Sequence, residues 1–331
     1  MTALSVPAQP RRDAGARPVP WRRMGWVTWR QHRLTLAGLT AVLGAVSVYL
    51  LITGMHVRGT GTGGYSAMGP FTLTSALFQV IPPLIGAFVG APVLARELES
   101  GTFRFTWTQG FGRTRWTIAT LTPLAVAVTL QAGAVGVLYR WCYGPMIGGK
   151  YGVSPLTGNT FDIHGLAFAA WTLTAFSIGA LAGGLIRRVV PAMFATLAAW
   201  SGLAVVTAVY LRPHYEALLV TNNPNLPTGA WVKSQWWAQS GNPISRATVN
   251  HVLQQGGITS VPDQFPRTPP GSTAANTDPM QYLLHHGITF VSSYQPASRF
   301  WPFQWIEGSW LLLLSLVLTG TVVWLVQRRA T

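Results

Sequence analysis

Charge is what this sequence has least of. Asp, Glu, Lys and Arg make up 9% of its 331 residues, against roughly 25% in a soluble domain. So little charge cannot coat a globule of this length, which excludes a soluble enzyme and a disordered scaffold. Cysteine occurs once, as Cys142, so a disulfide-built secreted domain and a cysteine-held metal are excluded as well. Acidic residues number eight against 23 basic ones. What is abundant is apolar: 49% of the chain, with 15 Trp and a mean hydropathy of +0.31, gathered into long uncharged runs of the kind a bilayer requires. The net charge of +15 would suit a nucleic-acid binder. The basic residues, however, lie between the apolar runs and not on one face, so they read as topology signals and no nucleic-acid partner is expected.

Crossing about 30 Å of hydrocarbon takes about 20 apolar residues in a helix. Six runs suffice: 34–54, 71–94, 116–139, 166–186, 189–211 and 308–326. None contains Asp, Glu, Lys or Arg, each of which costs roughly 3 kcal/mol at the bilayer centre. The fold expected is therefore an all-α polytopic membrane protein of six transmembrane helices, in the lipid bilayer. With both termini cytoplasmic, fifteen of the 23 basic residues fall on the inner side, as the positive-inside bias favours. Trp21, Trp26 and Trp29, Trp116 and Trp141, and Trp301 and Trp305 flank the spans as interface anchors do. The first run is too long for a signal-peptide core and lacks a small-x-small cleavage site, so a retained helix is expected.

Residues 1–20 are rich in Pro, Arg and Ala without periodicity and read as a disordered cytoplasmic tail. In residues 21–33, Trp26, Trp29, Arg30 and Arg33 share one helical face. That mixture suits either an interfacial connecting helix or a plain basic flank. A five-span bundle is expected over 34–211, with a cytoplasmic loop at 95–115. In that loop the helix of the second span can continue to Ser100 and end on a left-handed Gly101. Residues 212–303, holding eleven of the 23 prolines, are expected to form a folded extracellular segment. Its signals are a helix over 245–255, a second from Pro279 to a closing Gly287, and an extended run over 288–294. The sixth span and a short tail occupy 304–331.

Two motif matches are decoys. Gly59 to Gly64 fits G-x-G-x-x-G but follows a membrane helix instead of a strand, and Gly144 to Lys150 resembles a P-loop until Tyr151 stands where Ser or Thr should bind magnesium. Six histidines, His56, His164, His214, His251, His285 and His286, map to the outer side without a ligand spacing; solvated or interfacial roles are expected and no metal. Glu307 at the start of the last span reads as a headgroup-level carboxylate with no special role. Catalysis within the membrane needs ionisable side chains there, and almost none are present, so no enzymatic activity is expected.

The segment Gly90 to Thr102 (GAPVLARELESGT), then Trp107-Thr108-Gln109 and Arg113-Thr114-Arg115-Trp116, resembles the permease subunits of actinobacterial ABC exporters, of the type 2 exporter permease class. Trp26 to Arg33 (WVTWRQHR) and Tyr294 to Glu307 (YQPASRFWPFQWIE) are similar to that family's opening and to its segment before the last span. The resemblance implies a half-transporter in a bacterial plasma membrane, paired with an identical or related permease and with a cytoplasmic ABC ATPase subunit. ATP and Mg would be held by that partner, and this chain would bind no cofactor directly. It further implies a coupling element made of Arg96, Glu97, Glu99, Gly101, Thr102, Phe103, Arg104, Phe105, Trp107, Gln109, Arg113 and Arg115. There Arg96, Glu97 and Glu99 would orient the loop by ion pairs with the connecting helix or the ATPase. Gly101-Thr102 would make the turn, and Phe103, Phe105 and Trp107 would fill an ATPase groove. The substrate expected is hydrophobic or amphiphilic. The rivals are a membrane-anchored sensor or assembly factor whose extracellular segment binds a ligand, and a lipid-modifying enzyme, disfavoured by the missing acid–base groups.

Overall fold

A computed structural model describes residues 21–59, 65–101, 113–147, 153–223, 225–258 and 279–328. The tail 1–20, most of the glycine-rich stretch after Gly59, inner-loop residues 102–112, and Lys150 and Tyr151 lie outside the described residues.

Six helices are long and apolar enough to cross a membrane. The first, α1 (Trp21–Gly59), is continuous. The expected connecting helix is thus not separate: residues 21–33 are the first turns of α1. Nothing in WRRMGWVTWRQHR breaks a helix, having neither proline nor a glycine in a cap geometry. The second span is α2 (Tyr65–Ile85), a π turn (Gly86–Gly90) and α3 (Ala91–Ser100), ending on Gly101 at φ 71° and ψ 5°, the left-handed stop that the sequence calls for. Then come α4 (Arg113–Tyr143), a short α5 (Gly158–Phe161), α6 (Leu166–Ile186) and α7 (Val189–Val206). The last of these runs into a second π turn (Thr207–Leu211) and a 3-10 turn (Arg212–His214).

The segment beyond α7 departs from an all-α reading. It carries β1 (Leu219–Thr221), β2 (Trp231–Gln239), β3 (Asn242–Ile244), α8 (Arg246–Gln255), α9 (Pro279–His285) and β4 (Ile288–Gln295), before α10 (Phe300–Arg328). The strands form one antiparallel sheet in the order β1-β4-β2-β3. The helix signals are present as read: the Ser245 hydroxyl accepts from the Thr248 backbone N–H at 3.2 Å, α9 opens on Pro279, and Gly287 has φ 68°. Trp237, Val249, Leu253, Leu283 and Ile288 give the sheet and its two helices a core of their own.

In the bundle, α6 is central. It meets the second span along glycines on both sides, Gly86 and Gly90 against Gly179 and Gly183. A Cβ on Gly179 would stand 2.2 Å from the Gly86 carbonyl oxygen, and one on Gly90 would stand 2.5 Å from that of Phe176. Both pairs are spaced G-x-x-x-G, which lets helix backbones touch where lipid supplies no hydrophobic drive. Against α10, α6 uses hydroxyls: Thr174 Oγ1 lies 3.0 Å from Ser315 Oγ and bonds the Leu311 carbonyl at 3.3 Å.

This contact predicts that Gly179→Ala lowers stability in detergent by about 1–3 kcal/mol through overpacking. Gly202→Ala, where a Cβ meets nothing within 4 Å, should leave the unfolding temperature unchanged. Equal melting of the two variants would mean that the second and fourth spans do not meet here.

Candidate functional site

At the end of the bundle away from the sheet, α3 carries the first part of the expected coupling element. Arg96 is exposed and lies within electrostatic reach of His32 on α1. Glu97 is half-buried. Glu99 has a partner that the sequence did not suggest: its Oε2 accepts from the backbone N–H of Val189 at 3.1 Å. A carboxylate at a helix N-terminus satisfies an orphan donor and meets the positive end of the helix dipole. The side chain thereby ties α3 to the start of α7 across the two-residue turn Arg187-Arg188. Gly101 makes the turn as expected. Thr102, Phe103, Arg104, Phe105, Trp107 and Gln109 lie outside the described residues, while Arg113 and Arg115 stand in the first turn of α4. Close by, Gln327 Nε2 donates to Thr114 Oγ1 at 2.6 Å, joining the end of α10 to α4. Trp26, Trp29, Arg30 and Arg33 lie on an exposed face of α1, with the Arg30 guanidinium 5.4 Å from the Trp26 ring centre.

The opposite end holds a group of charges whose association the sequence did not reveal. Glu307, expected at headgroup level, is fully buried, and so is Arg212. The apolar run of the fifth span ends on the second π turn, and Arg212 follows directly. Its Nε and Nη2 donate to Glu307 at 3.1 and 2.8 Å, and Nη1 and Nη2 donate to Asp162, the former at 3.3 Å. Its guanidinium also lies over the Phe161 ring, 4.3 Å from the centre. Glu307 further accepts from Trp171 Nε1 at 2.8 Å and from the Tyr215 hydroxyl at 3.1 Å, and Tyr215 in turn accepts from Trp310 Nε1 at 3.1 Å. Every Glu307 oxygen thus has two donors, as a buried carboxylate needs. Asp162 keeps 25% of its side chain exposed. Loss of hydration pushes its carboxyl up to about 7; Arg212 opposes this and Glu307 adds to it.

One turn earlier on the same face of α10, Gln304 braces the group. Its Oε1 accepts from the Ala167 N–H at 2.7 Å, capping α6, while Nε2 donates to the Phe161 and His164 carbonyls at 3.1 and 3.3 Å. Gly165 passes beneath it at φ 75°, where a Cβ would come within 2.9 Å of Gln304 Oε1. His164, expected to be solvated or interfacial, is buried. It stacks on Phe300 at 4.8 Å and an angle of 8°, and its Nδ1–H donates to the Thr160 carbonyl. Burial, with Arg140 nearby, lowers its pKa to about 4. The remaining described histidines of the expected outer set, His56, His214, His251, His285 and His286, are exposed. Among the described residues no group of three His, Cys, Asp or Glu is placed to hold a metal ion.

Beside Asp162 opens a cleft of about 290 Å³ between α2, the segment around α5, α6 and α7. Phe78, Gln79, Pro82, Trp171 and Trp200 form most of its wall. Signals for the ion group were present but scattered. Phe300, Phe303, Gln304, Glu307 and Leu311 follow helical spacing on one face, so Glu307 had to point with the apolar side chains.

Removing Glu307 leaves Arg212 buried and short of a partner, so Glu307→Ala is expected to cost about 3–5 kcal/mol, read as detergent-resistant unfolding. A cost near zero would mean that Arg212 reaches water. For His164 the sign follows from its lowered pKa. Between 6.5 and about 4 the unfolded chain binds the proton more readily, so this contribution is whole above pH 6.5 and lost as pH falls towards 4. The melting temperature of the wild type should therefore drop more steeply over that window than that of His164→Phe. Equal slopes would place the ring in solvent.

Residues 62–212 match a family model described as ABC-2 membrane transporter related. No curated protein matches the chain. No solved structure does so either. The matched stretch takes in the second to fifth spans with Asp162 and Arg212, and it stops short of the sheet and Glu307. The likeness is to a family of membrane transporter-related proteins, and together with the six apolar helices it points to a multi-pass membrane protein and suggests a transporter component.

Proposed function

We propose that the chain is the permease subunit of an ATP-driven ABC exporter in a bacterial plasma membrane, working as a pair with an identical or related subunit. ATP hydrolysis belongs to a separate cytoplasmic ATPase, and this chain has no catalytic role. The observation that carries the reading is the family likeness over residues 62–212. The arginine bias supports cytoplasmic termini, which would put the α3–α4 loop inside the cell and the sheet outside.

In this reading the ATPase presses on the loop beyond Gly101. The push would travel by two links already in place. Glu99 would carry it to the N-terminus of α7, and the glycine contact would carry it to α6. The π turn at Gly86–Gly90 is where the second span can bend, since its helical ladder is already interrupted there. From α6 the hydroxyl seam leads to α10, so tilting of the bundle between inward and outward states would follow.

The test is purification from native membranes with and without substitutions, followed by ATP-driven transport in inverted vesicles. Wild type should bring down an ATP-hydrolysing subunit. Phe105→Ala should weaken that association. Glu99→Ala should keep it and slow transport by about tenfold, the effect of roughly 1.4 kcal/mol. Purification without any ATPase, or wild-type transport in both variants, would overturn the reading.

A further inference from the structure

The cleft beside Asp162 has a composition that selects a ligand. Two carboxylates share one guanidinium, so the group is one positive charge short whenever Asp162 is ionised. Glu307 is saturated with donors. Among the described residues Arg212 is the donor to Asp162, and Asp162 alone of the three keeps surface open, towards the cleft. The walls next to it are rings: Phe78, Trp171 and Trp200, the two indoles meeting edge to face at 5.5 Å. Ring faces attract a desolvated cation. The volume of about 290 Å³ lies at the small end of ligand sites, about 300–1,000 Å³.

We propose that this cleft binds a small amphiphilic amine: the protonated amine pairs with Asp162, and the apolar body lies among Phe78, Trp171 and Trp200. The charge that the ion group lacks is then supplied by the ligand. Gly158 keeps the mouth open. A Cβ there would sit at ordinary contact distance, 3.8 Å from Arg212 Nη1 and 4.0 Å from Asp162 Oδ2, so a longer side chain would take up space beside Asp162. The proposal rests on the exporter reading only in naming this ligand as cargo; the binding chemistry stands on the cleft itself. An ammonium group can come from a soluble amine or from the headgroup of an amino lipid, and both present the same chemistry to Asp162.

The experiment measures binding of tritiated propranolol, an aryloxy amine, to the full chain in phosphatidylglycerol nanodiscs, with empty discs subtracted and without any ATPase. Saturable binding of one molecule per chain is expected, with the neutral N-acetyl derivative failing to compete. Asp162→Asn and Gly158→Leu should each weaken binding at least about tenfold. Because Asp162→Asn could disturb the fold, Gly158→Leu with a wild-type melting temperature is the deciding variant. Binding untouched by Gly158→Leu, equal competition by the acetylated compound, or no saturable binding would overturn the proposal. If phosphatidylethanolamine in the discs displaces the probe, the amine site stands and its resident is a lipid; if it does not, the site serves soluble amines. Loss of the ATPase in co-purification would sink the exporter reading and leave this result intact, and absent amine binding with the ATPase retained would do the reverse.

Discussion

Arg212 sits at the junction of three parts of the chain, and its burial sets terms for all of them. A guanidinium removed from water is tolerated only when its donors are met in good geometry. Here Glu307 and Asp162 meet them, one from α10 and one from the segment before α6. Trp171 and Tyr215 then complete Glu307, which draws α6 and the chain after α7 into the same arrangement. Since each partner would be costly to leave unpaired, the fourth, fifth and sixth spans cannot separate at this end independently. Gln304 adds a neutral brace by capping α6 and holding the turn at His164.

At the other end of the molecule a glycine contact, the Glu99 bond to Val189 and the Gln327 bond to Thr114 connect the helices. Each of these three costs less to break than a buried ion pair that loses one partner. The π turn at Gly86–Gly90 lies on the same load path.

What was legible in the sequence was whatever depends on local composition. The six apolar runs stand out because charge is excluded from them, and the fourth has the same bounds, Leu166–Ile186, in the structure. Gly101, Ser245, Pro279 and Gly287 announce helix ends through their own backbone and side-chain chemistry. The long-range features were not legible. Arg212, Asp162 and Glu307 lie 50 and 95 positions apart, and nothing local marks them as partners. The residues of β2, WVKSQWWAQ, hide their strand because a register shift between Val232 and Ser234 breaks the alternation that would reveal it. The bond from the Val189 backbone N–H to Glu99 was equally hidden, because every sequence position but proline offers that donor alike.

Four residues separate the 3-10 turn that ends the fifth span from β1, and four separate β4 from α10. The two strands pair directly, Leu219 with Tyr294 and Thr221 with Ser292. Paired strands hold about 4.8 Å apart, whereas packed helices stand 8–10 Å apart. The ladder therefore acts as the rivet of a pair of tongs. The fifth and sixth helices can spread only by swinging about it, and the gap they make must widen with distance from the sheet.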